Sequence, residues 1–263
     1  MTSRASERQS LRRPLPLAYH PLYRFYEGGA LTRQFRGLPE RPDDCWSEDW
    51  VGSCTCAGNP DPDGRVQGLS PVDLPSGQVT LKSLSVHRTE VHPGEVYVAP
   101  AGVPHYLGPR LSFIEVQEPS DHIVIPETSG DDDAAATMGL GWDLALDMID
   151  YRAADAATTF ARARQQPRVL RASHGSREVR LVADDVTEFF DATALEVADE
   201  IEVADGRFSI AIVTSGDGWA EGDFGRQPVR KGQTFAWPAS LSLRVRAGRE
   251  PVRIVRCLGP REE

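Results

Sequence analysis

Lysine is nearly missing from this chain. Only Lys82 and Lys231 occur among 263 residues, so almost all of the 29 basic side chains are arginine. A mechanism that needs a lysine base has those two candidates alone. Cysteine is also scarce, at four residues: Cys45, Cys54, Cys56 and Cys257. Cys54-Thr55-Cys56 lacks the second Cys/His pair of a structural zinc site, and its spacing suits reduced side chains on one strand. No apolar run approaches membrane-spanning length, which excludes a transmembrane helix. No apolar segment follows Arg4, Arg8, Arg12 and Arg13, which argues against a secretory signal. The chain reads as soluble and cytoplasmic. Positive charge is outweighed overall, with a net charge of −10. That balance argues against nucleic acid or an anionic membrane as the main partner. The arginines of residues 1–15 read as a disordered basic tail.

What is plentiful is short β pattern broken by Gly and Pro. Residues 16–75 are rich in Pro, Gly and Asp. Within them Tyr23 to Gly29 reads as an aromatic strand closed by a glycine turn, Ala30 to Phe35 as a helical turn, and Glu48 to Cys54 as a strand. Beyond Thr89, Glu95 to Ala99, His105 to Leu107 and Leu111 to Gln117 read as strands. Helical pattern occupies Ala134 to Leu140, Trp142 to Asp150 and Ala154 to Arg164. Trp142, Leu146 and Ile149 fall on one face of the second of these. After Pro167 the pattern is β to the end: residues 193–203, Phe208 to Val213, Thr234 to Trp237, Leu241 to Val245 and Val252 to Cys257. Short strands at near-regular spacing predict a sandwich or barrel.

Residues 94–105, Gly-Glu-Val-Tyr-Val-Ala-Pro-Ala-Gly-Val-Pro-His, carry the sharpest signal. Pro100-Ala101-Gly102 makes a tight turn and places the imidazole of His105 at a fixed point beyond it, as a metal ligand inside a barrel requires. Pro93 to His105 aligns without gaps with Lys231 to Leu243: Gly232 matches Gly94, Pro238 matches Pro100, Ser240 stands for Gly102 and Leu243 for His105. An internal repeat follows, whose second copy has kept the scaffold and lost the histidine.

The Gly-x5-Pro-x-Gly-x2-His spacing resembles the second metal-binding motif of the cupin family. A closer likeness runs over Val91–Asp155. Val98 to Gly108 resembles the Pro-Ala-Gly-x-x-His-x-x-Gly segment of class I mannose-6-phosphate isomerases. Phe113 to Asp121 resembles their Glu-x-Gln-x-x-Ser-Asp strand, and Gly139 to Asp147 the helical connector of bacterial members. Tyr26 to Leu31 and Glu48 to Ser53 are similar to their aromatic-x-Gly-Gly-x-x-Leu and acidic-Trp segments. The resemblance implies a mainly β, double-cupin jelly-roll architecture with a short helical connector. It divides the chain into the tail 1–15, an N-terminal cupin domain over 16–130 shortened around 76–88, a connector over 131–168 and a C-terminal cupin-like domain over 169–263. It also implies zinc and the aldose–ketose isomerisation of a sugar phosphate. In that chemistry a Lewis acid takes the charge developing on oxygen while a base carries the proton between two carbons.

The chain departs from the family at the metal. The family's Gln-x-His and Lys-x-Glu ligands have only partial echoes here: Gln78-Val79-Thr80 lacks the histidine and Lys82-Ser83-Leu84 lacks the glutamate. The arginine after Ser-Asp is absent as well, since Ser120-Asp121 is followed by His122-Ile123. His105 is the one ligand retained, with Glu115 and His92 as auxiliary candidates. The alternative for the same residues is an interior histidine, with Glu115 and Gln117 hydrogen-bonded inside the barrel. His20, His87, His122 and His174 have no ligand-spaced neighbours and read as surface or loop residues. Two functions stay open: a zinc-assisted isomerase of carbohydrate metabolism, and a non-catalytic cupin module that binds a sugar or a protein partner. A shortened N-terminal sheet would leave unpaired strand edges, which predicts pairing with a second copy or with the chain's own C-terminal strands.

Overall fold

The computed structural model describes residues 15–17, 19–24, 26–50, 59, 61–64, 67, 87, 89–108, 111–117, 123–125, 133–152, 154–183 and 185–260. The chain is mainly β. Strands β4 (Arg168–Ser173), β5 (Ser176–Arg180), β6 (Asp191–Val197), β7 (Glu200–Val203), β8 (Ser209–Ser215), β9 (Asp217–Gly222), β10 (Gly225–Arg230), β11 (Thr234–Trp237), β12 (Leu243–Ala247) and β13 (Val252–Leu258) follow one another with short turns. Their pairing is nested and antiparallel: β6 with β13, β7 with β12, β8 with β11, and β9 with β10. Folding such a ribbon over itself gives two sheets. One contains β11-β8-β13-β6 and continues into β5 and β4; the other is β10-β9-β12-β7. Eight strands so connected are the double-sheet jelly roll, the architecture of cupin domains.

Side chains of one parity along each strand point between the two sheets. Leu195, Val197, Ala211, Val213, Phe235, Trp237, Leu243, Val245, Val252 and Ile254 form one buried cluster there, drawn from both sheets. The roll is therefore filled by its own side chains. The outer face of the larger sheet is covered too, where Val179, Ala192, Ala194 and Val255 pack with Val96 and Val98 from the 94–105 stretch. β8 is buried on both faces, which is why it reads as the continuous apolar run Ile210-Ala211-Ile212-Val213 rather than as an alternation.

Three short strands precede the roll: β1 (Leu15–Leu17), β2 (Pro21–Leu22) and β3 (Glu48–Asp49). β2 and β3 pair with each other, whereas β1 pairs antiparallel with β11 and extends the larger sheet. Reciprocally, residues just ahead of β4 pair with the 94–105 stretch: Val98 N–H donates to Ala163 O at 2.9 Å and Gln165 N–H to Val96 O at 2.8 Å. β1 thus takes one of the chain's own C-terminal strands as its partner, whereas residues 96–98 pair with the end of the helical connector.

The repeat has a physical counterpart. Glu95 N–H donates to His92 O at 3.1 Å, and Gln233 N–H to Arg230 O at 3.0 Å; Val103 N–H donates to Pro100 O at 3.1 Å, and Leu241 N–H to Pro238 O at 3.0 Å. Side chains copy the pattern, with His92 N–H bonded to Glu95 Oε2 at 2.9 Å and Arg230 N–H to Gln233 Oε1 at 2.8 Å. Both turns use a glycine in the left-handed region, Gly94 at φ +90° and Gly232 at +83°.

The two glycines differ in surroundings. A Cβ on Gly94 would meet nothing within 4 Å, while one on Gly232 would lie 2.1 Å from Phe35 O. Phe35 ends helix α1 (Ala30–Phe35), and the next residue, Arg36, donates to Gly232 O at 3.0 Å and Thr234 Oγ1 at 2.6 Å while pairing with Asp49 at 3.1 Å. Gly94→Ala is expected to lower unfolding free energy by about 1–2 kcal/mol, the left-handed penalty alone. Gly232→Ala adds a backbone clash, raising the loss to about 2–4 kcal/mol. Equal losses in urea denaturation would show that α1 does not dock on this turn.

Between the two β regions lie α2 (Asp133–Ala136), α3 (Trp142–Asp147) and α4 (Ala156–Ala163). α4 begins at Asp155, whose Oδ1 accepts from Thr158 N–H at 2.8 Å, an N-cap that fixes its start. α3 turns a different face inward from the one its periodicity predicts: Ala145 is buried and Leu146 exposed. Among the described residues no helix is long and apolar enough to cross a membrane. The predicted strands at Glu95–Ala99, His105–Leu107 and Leu111–Gln117 are extended or irregular chain, with one isolated bridge at Tyr97–Arg164.

Candidate functional site

The Pro100-Ala101-Gly102 turn is held against the end of the helical segment. Asp150 N–H donates to Gly102 O at 2.7 Å, and a Cβ on residue 102 would lie 2.6 Å from Met148 O. Glycine is needed there for close backbone approach. Beyond the turn His105 is exposed, and its Nδ1 lies 2.9 Å from the Val103 carbonyl. That contact holds the ring against its own backbone. At the matching position in the second copy, Leu243 is 3% exposed and points into the roll.

His92 is exposed and faces Glu95, Nδ1 to Oε1 at 3.8 Å. Glu95 is the hub of a small cluster that the sequence alone did not single out. Its carboxylate also accepts from Tyr97 Oη at 3.0 Å and is ion-paired with Arg164. The His92 N–H first, then Tyr97 and Arg164, hold Glu95 below the usual carboxylate range. Three residues spaced 92, 95 and 97 gave the only sequence clue, because Arg164 arrives through the 96–98 pairing. The cluster ties the 94–105 stretch to the end of α4.

Glu115 is a different kind of group. Its Oε2 is buried without a hydrogen-bond partner among the described residues, and burial pushes its pKa up to about 8. The folded chain therefore keeps a proton that the unfolded chain releases above about 4.5. Stability is expected to fall as pH rises from about 4.5 to about 8, by at most about 1.4 kcal/mol per pH unit, and to level off above that range. Glu115→Gln should flatten this fall. A variant with the same pH dependence as the parent in urea titrations would contradict the burial of that carboxylate.

His105, Glu115 and His92 do not converge. Among the described residues no group of three His, Cys, Asp or Glu side chains could hold a metal ion. The residues described thus do not fit the zinc implied by the family resemblance, and no chemical step is derived through it. Gln78, Thr80, Lys82 and Leu84, the positions that echo the family's other ligands, lie outside the described residues, as do Cys54, Cys56, His122 and Ser120-Asp121. Cys45 and Cys257 are free thiols.

Comparison with known proteins gives likeness at low identity. No family profile matches the chain, and no curated protein sequence does. Among solved structures, the mannose 6-phosphate isomerase from Bacillus subtilis is similar at 18% identity and a TM-score of 0.35, over 44% of this chain and 34% of that protein. A cupin 2 conserved barrel domain protein from Salinispora arenicola is similar at 18% identity and a TM-score of 0.30, over 42% of this chain and 88% of that one. The EutQ protein of Clostridium difficile is similar at 12% identity and a TM-score of 0.30, over 32% and 68%. The matched stretch thus spans about a third of the isomerase's length. The fold assignment rests on strand order rather than on these overlaps.

Proposed function

We propose that this chain is a non-catalytic cupin-type protein, a module that binds a sugar or a protein partner on a jelly-roll scaffold. One observation carries the reading: where a cupin would place its chemistry, this chain places packing. The second copy of the motif sets Leu243 in the position of His105, inside a roll filled by Phe235, Trp237, Val245 and Ile254. The first copy turns His105 outward onto its own backbone. The sequence adds its weight, since the Gln-x-His, Lys-x-Glu and arginine positions of the isomerase family are replaced.

The competing reading, a zinc-assisted aldose–ketose isomerase of sugar phosphates, is favoured by the likeness of Val98–Gly108 and Phe113–Asp121 to that family. The two separate in a coupled assay of mannose 6-phosphate turnover with added zinc. The proposal expects no turnover above the protein-free rate, and the same null result for His105→Ala. Turnover that is abolished by His105→Ala would establish the isomerase instead.

A further inference from the structure

A small cavity lies in the N-terminal segment, away from the 94–105 stretch in sequence and built from β2 and the residues before it, α1, and the segment that leads into β3. Tyr19, Pro21, Arg33, Arg41, Asp44 and Trp46 line about 230 Å³. We propose that this cavity binds a small planar monoanion, an aromatic ring carrying one carboxylate.

The walls are organised before any ligand arrives. Trp46 is fixed from two sides: its backbone N–H donates to Asp44 Oδ1 at 2.9 Å, and its ring meets Tyr23 edge-on at 5.5 Å between centroids. Asp44 is set by reciprocal backbone bonds with Gly28, at 3.0 and 3.2 Å. Tyr19 leads into β2, and the Arg33 guanidinium stacks over its ring at 5.7 Å. Two aromatic faces and a proline ring form apolar walls that suit a flat ring. The volume falls below the 300–1,000 Å³ or so typical of drug-sized ligands, which limits the guest to about one ring.

Charge sets the second half of the ligand. Asp44 is already committed, with Oδ2 to Arg41 Nη2 at 3.0 Å and Oδ1 to Trp46 N–H. Arg33 has neutral partners only: its Nε and Nη2 both donate to Pro39 O at 3.2 Å. Among the described residues no carboxylate pairs with it. Two guanidinium groups against one carboxylate leave the cavity one positive charge in excess, within a chain whose net charge is −10. A half-buried cation without a counter-ion favours one anionic group. A neutral ring would leave that charge unanswered, and a dianion would overfill it.

Titration calorimetry of the full chain with benzoate, benzamide and acetate tests the assignment. Benzoate is expected to bind at one site per chain in the millimolar range or tighter, and benzamide and acetate about tenfold more weakly. Arg33→Gln is expected to weaken benzoate about tenfold. Arg33 also braces the end of α1, so the comparison of benzoate with benzamide on the unaltered chain decides the question if that variant melts early. Absence of saturable benzoate binding, equal binding of benzamide, or a folded Arg33→Gln variant with unchanged affinity would each overturn it. The outcome is separate from the proposed non-catalytic role, which turns on mannose 6-phosphate turnover and His105.

Discussion

Arg256→Met is expected to lower unfolding free energy by about 3–5 kcal/mol. Arg256 sits on β13 at 1% exposure, with its side chain on the inward parity of the roll. Its Nη1 pairs with Glu178 Oε1 at 3.2 Å, its Nη2 with Asp205 Oδ2 at 2.7 Å, and its Cζ lies 5.8 Å from the Trp237 ring centre. Removing the guanidinium leaves Glu178, on β5, buried with Arg171 at 2.8 Å as its one charged partner among the described residues. Most of the loss comes from that buried carboxylate, left with one of its two oxygens without its cation, since breaking a buried pair costs more than the pair contributes. A double variant, Arg256→Met with Glu178→Leu, is therefore expected to recover much of the stability. Urea midpoints for the two variants decide it. A double variant no more stable than the single one would mean that shape, not charge, fixes this end of the roll.

Trp237→Ala should be comparably damaging, at about 3–5 kcal/mol. Trp237 is 2% exposed and belongs to the cluster that joins the two sheets. Deleting its ring opens a cavity between facing strands and removes the platform under Arg256. Its indole N–H is buried and finds no acceptor among the described residues, so the polar atom contributes little that phenylalanine would lose. Trp237→Phe is accordingly expected to cost less than half as much as Trp237→Ala. Because Arg256 and Trp237 touch, their substitutions should combine non-additively in a double-mutant cycle. Similar losses for Phe and Ala at position 237 would point to a hidden partner for the indole nitrogen.

The later strands were legible in the sequence because composition and pairing agree there. Thr234–Trp237 and Val252–Leu258 have apolar residues of the right period, turns at their ends, and neighbours on both sides. The stretch from Glu95 to Gln117 has strand-like composition without a ladder. A strand is a pairing of two segments, and among the described residues 96–98 find theirs at 163–165. The repeat was legible because its turn chemistry is local: Gly94 and Gly232 serve one backbone conformation.

The site was harder to read for the same reason. The sequence marks His105 as a ligand by its position after a turn, yet whether that ring points inward depends on the sheet around it. Leu243 points inward because β12 has partners on both sides, β7 and β9. Periodicity misjudged α3 as well, since the close approach of Gly102 to residues 148–150 sets how that segment sits, and Ala145 faces inward instead of Leu146. The cavity of Tyr19, Arg33 and Trp46 had no sequence signature at all. These three residues, from one N-terminal stretch, meet because β2 pairs with β3 and α1 folds between them.

The central claim is that this scaffold holds packing where a cupin enzyme holds a metal. Metal content of protein purified without chelator tests it most directly. The account predicts well under one zinc per chain, with no difference between the parent and His105→Ala. One tightly held zinc per chain that disappears in His105→Ala would contradict it.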